Sequence, residues 1–272
     1  EQSSMVQRLM LHRQVFSLVR VGRLADAYRL LSLEIHDDCK MTLSSACITI
    51  DREILRILLG IPQPASSVRL DEALGFLRTS DVMGLRSYIG IVQSLRLIEQ
   101  KETDVASIYQ VERYASQAEE RGDVIAQVVE LLAVSILDLR NKAYPRAYVH
   151  ANNALVLAQK VRCDYLAETG FILSGVSRFM LGEPPKEQET RPVVNPSLYE
   201  AYKVIVNAMD SFSGCGSLKE PRMSAESAPQ NALWLIRVLV KGIGQFSDEL
   251  TKCIPESWKR AMGASLQKNS GS

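Results

Sequence analysis

Residues 143–160 read Ala143-Tyr144-Pro145-Arg146-Ala147-Tyr148-Val149-His150-Ala151-Asn152-Asn153-Ala154-Leu155-Val156-Leu157-Ala158-Gln159-Lys160. Ala147, Ala151, Ala154 and Ala158 recur at three- and four-residue spacing, the period of an α-helix, and so form one face of a single helix. A face built of methyl groups lets a neighbouring helix axis approach closely, as stacked helical hairpins require. The apolar run before it, Val124 to Leu137, is interrupted by Gln127 and Glu130 and predicts a second helix to Arg140. Asn141-Lys142 is the short break between the two. The spacing then repeats: Leu85 to Val124 is 39 residues, and Val124 to Cys163 is again 39. That period lies within the range of helical-hairpin repeats, close to tetratricopeptide and HEAT lengths.

Working outward, apolar residues keep the helical period almost throughout. Val15, Leu18 and Val19 form one stripe, Leu24, Ala27, Leu30 and Leu31 another, and Ile54, Leu55, Leu58 and Leu59 a third. Alternation with a period of two is not sustained anywhere, so no sheet is predicted. The breaks carry helix punctuation: Val21-Gly22-Arg23, Gly60-Ile61-Pro62-Gln63-Pro64, Thr103-Asp104, Gly122-Asp123 and Cys163-Asp164. Helix pairs are expected at 85–100 with 104–121, 124–140 with 143–160, and 164–181 with 196–212. An apolar helix is expected from Ala232 to Phe246. The fold class is therefore all-α, a tetratricopeptide-like superhelical array of antiparallel helix pairs over residues 1–182. Residues 183–195 read as an exposed loop. Residues 196–272 read as further helices that continue or cap the array, with a flexible loop at about 213–229.

The composition narrows the chemistry. The 272 residues carry 32 Lys+Arg against 31 Asp+Glu, a net charge of +1, which argues against bulk electrostatic binding of nucleic acid or acidic membrane. The basic residues are interleaved with acids, so no direct nucleic-acid contact is expected. The apolar share of 46% suits a folded protein. Five cysteines with no Cys-x-x-Cys spacing read as free thiols in a reducing compartment. No apolar run reaches the ~20 residues of a membrane span, so a nuclear or cytoplasmic protein without membrane contact is expected.

Motifs for catalysis are sparse. His36-Asp37-Asp38-Cys39 is the densest cluster of reactive types, but it has no second histidine near it and lacks the Asp-Asp-x-x-Asp spacing that holds magnesium ions. Gly214-Cys215-Gly216 and Gly242-Ile243-Gly244 are isolated glycine pairs without the strand and third glycine of a phosphate loop. The three histidines, His12, His36 and His150, are dispersed. No cofactor or metal is expected. Tyr109, Tyr114, Tyr144, Tyr148 and Tyr165 lie in the paired-helix region, where they either pack the hairpins or line a groove that grips an extended peptide.

From Leu85 to Lys160 the chain resembles the cohesin-loading factor family in its fungal form, the helical-repeat subunit of the two-protein cohesin loader. The residues that carry this are Ser94-Leu95-Arg96-Leu97, the run Tyr114-Ala115-Ser116-Gln117-Ala118-Glu119-Glu120-Arg121-Gly122-Asp123, Leu137-Asp138-Leu139-Arg140, and His150-Ala151-Asn152-Asn153-Ala154. Phe171-Ile172-Leu173-Ser174-Gly175-Val176 resembles a later repeat of that family. The same Ala-Glu helix ending occurs in tetratricopeptide-like proteins generally, including scaffold subunits of the anaphase-promoting complex and large transcription activators. The resemblance implies a nuclear protein that sheathes an extended N-terminal segment of the large HEAT-repeat loader subunit and acts in chromosome cohesion and segregation.

Three functional expectations follow. The first is a non-catalytic scaffold whose partner touches exposed residues of the first helix of each pair: Gln93, Arg96, Gln127, Glu130 and Asp138. The alternative partner assemblies are those just named, another multiprotein complex or a transcription activator. The second is a helical enzyme with a pocket centred on His36, Asp37, Asp38 and Cys39. The third is a sensory or dimerisation domain of a transcription regulator.

Overall fold

The computed structural model describes residues 2–33, 41–61, 68–79, 86–100, 104–183, 195–213 and 231–263. These residues form thirteen helices and no strand. In chain order they are α1 (Gln2–Arg20), α2 (Leu24–Ser32), α3 (Leu43–Leu59), α4 (Val68–Arg78), α5 (Arg86–Gln100), α6 (Val105–Glu120), α7 (Val124–Arg140), α8 (Tyr144–Lys160), α9 (Asp164–Met180), α10 (Pro196–Phe212), α11 (Leu233–Val240), α12 (Gln245–Cys253) and α13 (Glu256–Met262). The expected pairs α5–α6, α7–α8 and α9–α10 are all present, with each boundary within two residues of its expected place. The cluster His36-Asp37-Asp38-Cys39, Gly214-Cys215-Gly216, and almost all of both expected loops lie outside the described residues.

One turn recurs between helices. In Val21-Gly22-Arg23, Arg121-Gly122-Asp123, Asn141-Lys142-Ala143, Val161-Arg162-Cys163 and Leu181-Gly182-Glu183, the middle residue is left-handed and donates its N–H to the carbonyl three residues back. The third residue donates to the carbonyl five residues back, as with Asp123 to Ala118 and Cys163 to Ala158. This Schellman pairing satisfies carbonyls that a helix end leaves open and reverses the chain. Glycine holds the left-handed position at three of these turns, whereas Lys142 (φ 60) and Arg162 (φ 55) hold it with side chains that disfavour it. Asp123 then caps the next helix by accepting from Ala126 N–H at 3.2 Å, and Asp104 caps α6 through Ser107 N–H at 3.0 Å.

The alanine face does what its spacing predicts. Ala147, Ala151, Ala154 and Ala158 are all fully buried where α8 packs against α7 and α9. A Cβ placed on Gly170 of α9 would stand 3.1 Å from the backbone nitrogen of Leu155 and 3.2 Å from the carbonyl of Ala151, so the α8 and α9 backbones nearly touch. Ser135 of α7 donates its hydroxyl to the Ala147 carbonyl at 2.9 Å, a bond possible only at that close approach.

The first helices pack on one another in succession, α3 on α5, α5 on α7 and α7 on α9. The amino-terminal pair closes the circuit, because α2 packs on α3 and α1 reaches α9. At that closure Arg20 Nε donates to the Arg162 carbonyl at 3.0 Å. α11 lies inside. The residue chain leading into it meets the start of α9, where Tyr165 donates its hydroxyl to the Asn231 carbonyl at 3.0 Å. Further along, Arg237 Nη1 donates to the Gly60 carbonyl at 2.6 Å, at the end of α3. Seven of the eight residues of α11 are buried, all but Arg237, which accounts for a helix that is apolar on every side.

The expected helix from Ala232 to Phe246 is in fact two helices. α11 stops at Val240, and α12 starts at Gln245 after Gly244 turns with φ 52. The apolar period runs through the break, since Ile243 and Phe246 are both buried. Within the break Gly242 sits so close to the Arg140 side chain that a Cβ there would overlap Arg140 Cγ, so only glycine fits.

Candidate interaction cleft between α8, α9 and α10

α9 packs closely on α8, but α10 diverges from α8 and leaves a cleft of ≈ 190 Å³ floored by α9. Tyr148, Asn152 and Leu155 form its α8 wall, Phe171, Ser174, Gly175 and Arg178 its floor, and Tyr202, Ile205 and Met209 its α10 wall. Helical spacing sets this arrangement, because Tyr148, Asn152 and Leu155 fall on one side of α8, next to the alanine face that seats the helix. Phe171 and Tyr202 meet across the cleft with ring centroids 5.8 Å apart. A Cβ added to Gly175 would meet nothing within 4 Å, so the floor is open at that point. Arg178 Nε at the rim pairs with Glu183 at 3.0 Å.

Chemically, the cleft is an apolar and aromatic slot with a few polar groups. It can take an aliphatic or aromatic side chain, while the Asn152 amide can both donate to and accept from a peptide backbone. It holds no nucleophile and base within reach of each other. Among the described residues no group of three or more His, Cys, Asp or Glu side chains is placed to hold a metal ion. The thiols of Cys47 and Cys163 are buried, and burial pushes both up from the ordinary thiol value, Cys47 to about 11.

The residues expected to meet a partner are placed differently from the expectation. Glu130 and Asp138 are not exposed: they are 1% and 0% accessible. α7 is the central helix of the stack, covered by α5, α6, α8 and α9, so its polar residues turn inward as well as its apolar ones. Asp138 Oδ2 lies 3.0 Å from His150 Nδ1, and Arg146 Nε is 3.6 Å from its other oxygen. Arg146 also pairs with Glu112 of α6, so one network ties α6, α7 and α8 together. Among the described residues Glu130 Oε2 has no hydrogen-bond partner, and burial, reinforced by the charge of Asp123, pushes its carboxyl up to about 8. Charge reversal at either position would break the stack before it touched any partner.

Gln93 and Arg96 of α5 are half-buried and engaged. Gln93 accepts the Tyr114 hydroxyl, and Arg96 Nε stands 3.7 Å from Glu53. Gln127 is half-buried on α7. Glu53 and Glu99 in turn hold Arg56, which also donates to the Ile61 carbonyl, joining α3 to α5.

Of the five tyrosines, Tyr165 is fully buried and Tyr114 packs between helices. Tyr109 is exposed, Tyr144 is half-buried, and Tyr148 lines the cleft. Asn152, Phe171 and Tyr202 were not anticipated. Helical phase shows which residues share a side of α8, but the divergence of α10 that opens the cleft has no local signal.

Among the described residues no helix is long and apolar enough to cross a membrane. Comparison with known protein families, with characterised proteins and with solved structures returns no match.

Proposed function

We propose that the chain is a non-catalytic interaction scaffold that holds an extended segment of a larger protein in the cleft between α8, α9 and α10. The observation that carries this is the cleft itself: an open aromatic slot, with polar groups at hand, on a floor held by the close approach of the α8 and α9 backbones. A partner segment that orders on binding can set one large side chain there and meet Asn152 with its backbone. α11 packs on α3 and lies beside Ile98 of α5 and Arg140 of α7, away from the cleft lined by α8, α9 and α10. We read the three hairpins α5–α6, α7–α8 and α9–α10 as consecutive units of a tetratricopeptide-like superhelical array.

The finer reading rests on the resemblance of residues 85–160 to cohesin-loading factors. On that reading the partner is the N-terminal segment of the large HEAT-repeat loader subunit, and the site of action is the nucleus. The test is affinity capture from the source cell with wild type and with Gly175→Leu, which fills the open floor. Recovery of a HEAT-repeat protein and cohesin by wild type, lost with the variant, is expected. Equal recovery with the variant would remove the cleft from the proposal. Recovery of ubiquitin-ligase subunits instead would replace the loader reading by the anaphase-promoting alternative.

A further inference from the structure

We infer that the side chain selected by the cleft between α8, α9 and α10 is tryptophan, with its indole ring seated against Phe171 and Tyr202. This rests on the reading of the cleft as the partner site. Size sets the first limit. An apolar cavity of about 150 Å³ holds benzene. The cleft, at ≈ 190 Å³, has room for the second ring of an indole but not for a second large side chain. Charge sets the next. Among the described lining residues there is no carboxylate, and the one cation, Arg178, is paired at the rim with Glu183 at 3.0 Å. A lysine, arginine, aspartate or glutamate seated inside would lose its water without meeting an unengaged counter-charge, so the guest that fits is neutral.

The walls separate a ring from an aliphatic chain. Phe171 of α9 and Tyr202 of α10 are both half-buried, with ring centroids 5.8 Å apart and planes inclined at 43°. A flat guest lying along one of these planes meets the other at an incline, and offset and edge-to-face contacts are the ones aromatic pairs favour. Met209 adds a thioether on the α10 wall, and sulfur also favours ring edges. A leucine side chain gains area burial here but none of these contacts. A buried indole N–H needs an acceptor. Asn152 on the α8 wall and Ser174 on the floor each carry one, and neither side chain makes a hydrogen bond to another described residue. Phenylalanine offers neither the second ring nor the donor.

The test titrates the intact chain, isotope-labelled at its methionine and isoleucine methyl groups, with N-acetyltryptophanamide or N-acetylleucinamide and follows both by NMR. The tryptophan compound should shift the Met209 and Ile205 methyl resonances by ring current and bind at least about tenfold more tightly than the leucine compound. The double variant Asn152→Ala, Ser174→Ala should weaken the tryptophan compound about fivefold and leave the leucine compound unchanged. If that variant does not fold, the wild-type preference decides alone. Equal affinities, shifts confined to methyl groups outside the cleft, no binding of the tryptophan compound at its solubility limit, or undiminished binding by a folded double variant would overturn the inference. Its failure is distinct from that of the partner site. A segment captured by wild type and lost with Gly175→Leu keeps the cleft as the partner site even where the leucine compound binds equally well.

Discussion

Between Arg86 and Met180 each helix packs on its predecessor in the chain, and the three turns from α6 to α9 are built on one plan. After α10 the helices shorten, and α11 joins its chain neighbours α10, α12 and α13 to elements more than ninety positions earlier, packing on α3 and lying beside Ile98 and Arg140. The first region gains its stability from neighbours in sequence, through turns, caps and the alanine seam. The second gains it by filling the inside of what the first builds. A stack of hairpins can propagate from local contacts, but a helix that is apolar all round has no stable place until its surroundings exist.

That contrast can be broken or sharpened by four measurements. The largest effect is expected from Leu235→Ala at the centre of α11, which is fully buried. It should cost about 4 kcal/mol in denaturant unfolding, and hydrogen exchange at α7 should accelerate with it. If α7 protection is unchanged, α11 is a separate cap and the two regions are independent.

Glu130→Gln comes next. The carboxyl is raised to about 8 in the folded chain, above its ordinary value in the unfolded one, so the folded state keeps its proton longer. Its contribution is therefore most favourable below the ordinary carboxylate range, and stability falls as pH rises from about 4.5 towards 8. Glu130→Gln should remove that fall and stabilise the protein at pH 8 by about 3 kcal/mol. A pH profile identical to wild type would show that Glu130 is solvated.

Gly170→Ala should cost about 2 kcal/mol, because its methyl group meets the α8 backbone rather than a yielding side chain. Stability equal to wild type would mean that the α8–α9 seam is looser than it looks. The smallest effect has the opposite sign. Lys142→Gly and Arg162→Gly relieve left-handed backbone and should each stabilise by about 1 kcal/mol in the same unfolding experiment. Destabilisation by either would show that the side chain contributes more than its backbone geometry costs.

Much of the stack was legible in the sequence, for reasons visible in individual residues. The alanines of α8 announced a close seam, and Gly122-Asp123 announced a stop and a cap, because both signals act within a few residues. Lys142 and Arg162 were harder to read as turn centres, since nothing in a lysine or arginine marks a left-handed position. The candidate interface was misread at Glu130 and Asp138 for a related reason. A charged residue in an apolar run reads as an outward face, and only the packing of four helices around α7 turns it inward. Asp138 finds His150 and Arg146 there, whereas Glu130 finds no partner for one oxygen among the described residues, and burial raises its carboxyl to about 8.

The sequence by itself determined that the chain is helical, where most helices begin and end, and that they come in pairs of near-constant length. Those features depend on backbone hydrogen bonds and side-chain periodicity over a few turns. The tertiary structure alone decided that α1 closes onto α9, that α11 lies along the first helices, and that α10 diverges to open a cleft. Each depends on contacts between residues far apart in the chain, whose free energy depends on shape and burial and leaves no mark on local spacing.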